Sequence, residues 1–148
     1  MKQKTIIEII ALLFVILFLY TGISKLMEYP VFKEQIGTSP LLEPIAPFVA
    51  WALPLVELVA AILLFWPAWR RIGLYAAFGL MVLFTGYVIY IMVVDETLPC
   101  SCGGIIELLS WKGHLVVNSI LTFLALTGIL LLRRSHLRKP SNVNVIPA

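Results

Sequence analysis

Residues 5–24 read TIIEIIALLFVILFLYTGIS, and this stretch settles the environment in which the chain folds. It carries one charged side chain, Glu8, in 20 residues. As a helix rising about 1.5 Å per residue it reaches about 30 Å, the thickness of a bilayer's hydrocarbon core. Lys2 and Lys4 precede it, as the basic start of a signal peptide would. However, the run is longer than a signal peptide's apolar middle, and no small-x-small cleavage site closes it. Its exit is Tyr20-Thr21-Gly22-Ile23-Ser24. We read 5–24 as a first transmembrane helix with signal-anchor character.

Three more apolar runs follow, over 45–66, 72–94 and 114–132. Pro54 falls inside the second and is expected to bend it, with neighbouring helices satisfying the carbonyl it frees. In the third, Gly73 and Ala77 are four apart and Gly79 and Gly86 seven apart. Such small residues let helices approach closely where water cannot drive them together. The expected fold is an all-α integral membrane protein, a bundle of four transmembrane helices. It forms one domain over 1–139, with 140–148 as a flexible tail. Composition agrees: 61% of the 148 residues are hydrophobic, mean hydropathy is +1.00 and only 13% are charged. A soluble domain carries about 25% charged residues, and one of this size could not bury so much apolar surface.

The charges then orient the bundle. The net charge of +3 does not point to nucleic acid, because the basic residues flank the apolar runs. On one side lie eight: Lys2, Lys4, Arg70, Arg71, Arg133, Arg134, Arg138 and Lys139. On the other lie three: Lys25, Lys33 and Lys112. Short loops rich in Lys and Arg stay in the cytoplasm. Both termini are therefore expected inside, and both long loops outside, facing the periplasm or another exterior compartment. Each outer loop is expected to hold a short interfacial helix. In the first, Phe32 and Ile36 would share an apolar face between Pro30 and Gly37. In the second, Ile105, Ile106, Leu108 and Leu109 alternate with Glu107 and Ser110.

That second outer loop contains Pro99-Cys100-Ser101-Cys102-Gly103-Gly104, with the only two cysteines of the chain. Two are too few for a disulfide scaffold. An exterior compartment is one in which disulfides persist. A bond across one intervening residue closes almost no loop, so it adds little stability, and such bonds are usually strained and easily reduced. A redox pair is the favoured reading over a static disulfide or two idle thiols. Soft thiolates also suit Cu(I) or zinc, but structural zinc needs four ligands and only His114 offers a third.

Trp111, His114 and Asn118 are spaced three and four apart, on one face at the outer end of the fourth helix. As interfacial residues they would be anchors; as site residues, His114 would assist thiolate formation and Asn118 would orient it or a ligand. Glu57 lies near the middle of the second helix, where a carboxylate costs about 2.5–3.5 kcal/mol on insertion scales. It is expected to face the bundle, as an acid hydrogen-bonded to another helix. With Thr85 at similar depth, and Thr21, Tyr20, Tyr87 and Tyr90 above, it would form a polar seam towards the cysteines.

Cys100-Ser101-Cys102-Gly103-Gly104 followed by Ser110-Trp111, His114 and Asn118 resembles the MauE-type branch of the DoxX-like membrane proteins. Ser24-Lys25-Leu26, Ser39-Pro40 and Pro54 with Glu57 extend the likeness over roughly residues 5 to 132. Family members often carry C-G-C-F-G where this chain has Cys-Ser-Cys-Gly-Gly. The resemblance implies a four-helix bundle in a bacterial inner membrane and association with periplasmic thioredoxin-like proteins, the namesake being needed to mature methylamine dehydrogenase. Three functions then compete. The first is a thiol–disulfide oxidoreductase with Cys100, Cys102 and His114 as its chemistry and Glu57, Asn118, Trp111, Tyr87 and Tyr90 in support. By analogy with quinone-linked disulfide oxidases, which use two cysteine pairs, direct exchange with a quinone stays open. The second is a non-enzymatic scaffold for a redox partner, and the third is a handler of soft metals. The lipid bilayer is a partner in every case, and a homo-oligomer is compatible with each.

Overall fold

The computed structural model describes residues 2–94 and 111–138, and every element among them is helical. The order is α1 (Lys2–Met27), α2 (Tyr29–Gly37), a 3-10 turn (Glu43–Ile45), α3 (Ala46–Phe65), α4 (Arg70–Val94) and α5 (Trp111–Leu137). α1, α3, α4 and α5 are the long helices, the form in which a chain satisfies most of its own backbone groups in hydrocarbon. All four are long and apolar enough to cross a membrane. The protein is a multi-pass, all-α membrane bundle. Its helices outrun the apolar stretches of the sequence: α1 continues through Met27, and α5 extends from Trp111 to Leu137.

The helices form a ring in the order α1, α3, α4, α5, each packed on its two neighbours. One stripe of each faces inwards. On α1 it is Ile7, Ala11, Phe14 and Phe18; on α3 it is Ala50, Pro54, Glu57, Ala61 and Leu64. The opposite faces are apolar too: Ile9, Leu12 and Ile16 on α1, and Val59 and Ile62 on α3, are more than half exposed. A helix that is greasy all round belongs in lipid.

Small residues set the helix spacing. A Cβ on Gly73 of α4 would lie 2.7 Å from the Leu64 nitrogen and 2.9 Å from the Leu63 carbonyl carbon of α3. On Gly22 of α1, one would lie 3.3 Å from the Pro54 carbonyl oxygen of α3. Gly79 and Gly86 differ from the sequence expectation: no neighbouring atom comes within 4 Å of an added Cβ at either. Their seven-residue spacing puts them on one face, but that face points outwards.

Two ends can be told apart. One holds the start of α1, the end of α5 and the tight 66–69 turn. The other holds the link from α1 to α3 and the points where α4 ends and α5 begins. At this second end α2 lies against the start of α3, burying Ile36 with Ala46 and Ala50. Pro30 stands at its first turn and Gly37 at its last residue, in line with the short helix read between them. The second expected short helix, over 105–110, lies outside the described residues.

Candidate functional site

Towards the α2 end the ring encloses a cavity of about 120 Å³. Every transmembrane helix contributes a polar group: Thr21 and Lys25 from α1, Glu57 from α3, Tyr87 from α4, and His114 and Asn118 from α5. The rest of the wall is greasy, with Leu17, Phe18, Met81 and Phe84 among its residues.

Glu57 is fully buried, and the Lys25 ammonium meets its Oε1 at 2.6 Å. The side chains lean in the directions that make this contact. A helical Cα–Cβ bond tilts towards the helix N-terminus. Since α1 and α3 run antiparallel, Lys25 leans down into the bundle and Glu57 leans up to meet it. The Lys25 ammonium also sits 5.5 Å from the Phe32 ring centroid and 5.0 Å from that of Phe84. A cation over an aromatic face is attracted by the ring quadrupole. One lysine thereby ties the end of α1 to α2, α3 and α4. Sequence alone gives Glu57 a hydrogen-bonding group on another helix as its partner; the partner is a cation, placed by Gly22 and Pro54 one turn earlier on each helix.

The second carboxylate oxygen, Glu57 Oε2, is buried with no hydrogen-bond partner among the described residues. A buried polar atom of this kind is unusual unless water or a ligand completes it. The adjoining cavity exceeds the roughly 10–15 Å³ that one water needs.

His114 is 4% exposed and Asn118 partly buried, one turn apart on the first turns of α5, and both line the cavity with Tyr87. Tyr90 is partly buried but does not line it, and Tyr20 is 41% exposed. Thr85 turns towards α5 instead, its hydroxyl 3.5 Å from that of Thr122 while donating to the Met81 carbonyl at 2.7 Å. Thr21 likewise donates to the Leu17 carbonyl at 3.0 Å. The structure thus gathers Glu57, Tyr87, His114 and Asn118 and leaves Tyr90, Tyr20 and Thr85 aside. Cys100 and Cys102 lie outside the described residues, as does the side chain of Trp111. Lys25 is the site residue that sequence reasoning misses. Its signal is an ionisable pair: one acid at mid-span and one cation at the end of the preceding span.

Among the described residues no three His, Asp or Glu side chains gather as a metal site would require. In comparisons with known proteins, the family described as Methylamine utilisation protein MauE matches residues 3–131. Neither a curated protein nor a solved structure matches the chain. With most of its length matched, the chain belongs to the MauE family.

Proposed function

We propose that this MauE-family chain is a thiol–disulfide protein of a bacterial cytoplasmic membrane. Through Cys100 and Cys102 it exchanges with a thioredoxin-like partner on the exterior side. The observation that supports this best is the polar cavity. Its walls include Tyr87, near the end of α4, and His114 and Asn118, on the first turns of α5. The connection carrying both cysteines leaves α4 at Val94 and enters α5 at Trp111. The two helices that flank the thiol pair therefore both contribute to the cavity wall.

The exchange balances without a further reactant. When Cys100 and Cys102 form a disulfide, two electrons and two protons pass to the partner's disulfide, which becomes two thiols; the reverse step is the mirror image. The thiolate is the attacking species, and His114 is the base we assign to it. The Lys25–Glu57 pair keeps the cavity polar and fixed in shape. This cavity is also where a quinone headgroup would sit if the pair is reoxidised directly.

The ordering within the pair follows from sequence. Cys102 precedes Gly103-Gly104 and the short helix expected after them, whose N-terminal partial positive charge would favour a thiolate. Cys102 is then the better leaving group, and a partner thiolate attacks Cys100. Cys102→Ser should accumulate a mixed disulfide in membranes, seen as a reductant-sensitive band shift, and Cys100→Ser much less. Equal trapping would overturn the order. No trapping, with function kept after both cysteines are replaced, would make the protein a scaffold.

A further inference from the structure

The opposite end of the bundle has two adjoining cavities that the thiol reading does not use. One, of about 540 Å³, is reached by Lys4 of α1, Arg70 and Arg71 at the start of α4, and His136 near the end of α5. The other, of about 170 Å³, shares Arg71 and His136 and adds Arg133. Five basic side chains from three helices thus surround one cleft. Opposing charge is scarce: across residues 1–8, 66–75 and 129–138 the one acidic side chain is Glu8. Its Oε1 lies 4.0 Å from Arg70 Nη1. Arg70 is further engaged, its Nε donating to the Leu64 carbonyl at 3.3 Å.

The cleft is amphipathic as well as basic. Ile7 and Leu132 form its floor. Ile129 and Leu137 line the smaller cavity, and Ile6, Ile72 and Leu130, between 44% and 59% exposed, belong to the same helix ends. Trp66 and Trp69, about half exposed, stand at this end, where amphipathic rings sit at headgroup level.

We propose that this cleft binds the phosphate headgroup of an anionic phospholipid, with the acyl chains lying against the apolar part of its lining. The clustered cations meet the phosphate. The apolar part of the lining, Ile7, Ile129, Leu132 and Leu137, is what selects a lipid over a free anion. A basic pocket between transmembrane helices at headgroup depth is the kind of site that recognises such lipids.

The test uses the full chain purified in neutral detergent. Bound lipid is counted by native mass spectrometry after adding phosphatidylglycerol, phosphatidylcholine or inorganic phosphate. Phosphatidylglycerol should be retained in preference to phosphatidylcholine. Arg71→Gln with Arg133→Gln should weaken that retention by about fivefold for each cation removed. Both side chains are exposed, so folding should survive. Lys33→Gln with Lys112→Gln removes the same charge at the other end and should leave the preference intact. Equal retention of both lipids would overturn the proposal, as would equal loss in the two double variants. Displacement of the lipid by inorganic phosphate at similar concentration would reduce the cleft to a general anion site and overturn the lipid assignment.

Discussion

Lys25 and Glu57 stand 32 residues apart in sequence and 2.6 Å apart in the fold, yet they do not depend on each other equally. The Glu57 side chain is 1% exposed and that of Lys25 is 12% exposed. Lys25 lies in the last turn of α1, from which a long aliphatic stem can swing its ammonium to the interface. Glu57, in the middle of α3, has no such exit. Lys25→Met should therefore cost about 3 kcal/mol or more, the usual result of leaving one buried charge alone, and Glu57→Gln markedly less. Unfolding the purified variants by titration of a denaturing detergent measures both. Equal losses would mean that Lys25 is as trapped as its partner. Part of this site is legible in the amino-acid sequence alone. Glu57 falls on the α3 stripe with Pro54 and Ala61, so its period alone turns it inwards. His114 and Asn118 share a helical face by spacing. Lys25 escapes because a lysine at a helix end is indistinguishable in sequence from a topology anchor; only the antiparallel crossing of α1 and α3 makes it a core residue.

The elements are the most legible part of the molecule, because a membrane removes the alternatives. An apolar run of about 20 residues in hydrocarbon must be a helix, and four such runs give four helices. Which faces pack is less legible, since lipid-facing and core-facing residues are both apolar here. Gly73 and Gly79 show the difference. An alanine methyl at Gly73 meets backbone atoms of α3 at 2.7 and 2.9 Å, and backbone cannot move aside as a side-chain tip can. Gly73→Ala should prise α4 from the end of α3 and cost about 1–3 kcal/mol, as overpacking does. At Gly79 the methyl meets nothing within 4 Å, so Gly79→Ala should be neutral or stabilise by up to about 1 kcal/mol through helix propensity. Denaturing-detergent titration of the two variants checks the pair. A Gly79→Ala loss matching that of Gly73→Ala would place a helix against the face now assigned to lipid.

At the scale of the whole molecule the two ends are built differently. Inside the bundle, between the polar cavity and the basic cleft, the packing is tight: Phe14, Leu64, Leu74, Ala77 and Ala125 are fully buried in one continuous core. The α2 end is hollow with a polar, partly acidic lining, and it is the end at which the cysteine-bearing connection begins and finishes. The charges divide along the same axis. Lys2, Lys4, Arg70, Arg71, Arg133, Arg134 and Arg138 mark the end with the basic cleft. At the hollow end Lys25 is occupied by Glu57, leaving Lys33 and Lys112 as its solvent-facing cations among the described residues. The asymmetry that governs insertion is thus sharper than a bare count of lysines and arginines suggests. An alkaline phosphatase reporter fused after Lys112 should be active, since that enzyme needs an exterior compartment to form its disulfides. The same reporter fused after Arg138 should be silent. The outcome bears on chemistry as much as on orientation. With the hollow end exterior, Cys100 and Cys102 stand where disulfides persist. An active reporter after Arg138 would put them in the reducing cytoplasm, where a standing exchange with an exterior partner could not operate.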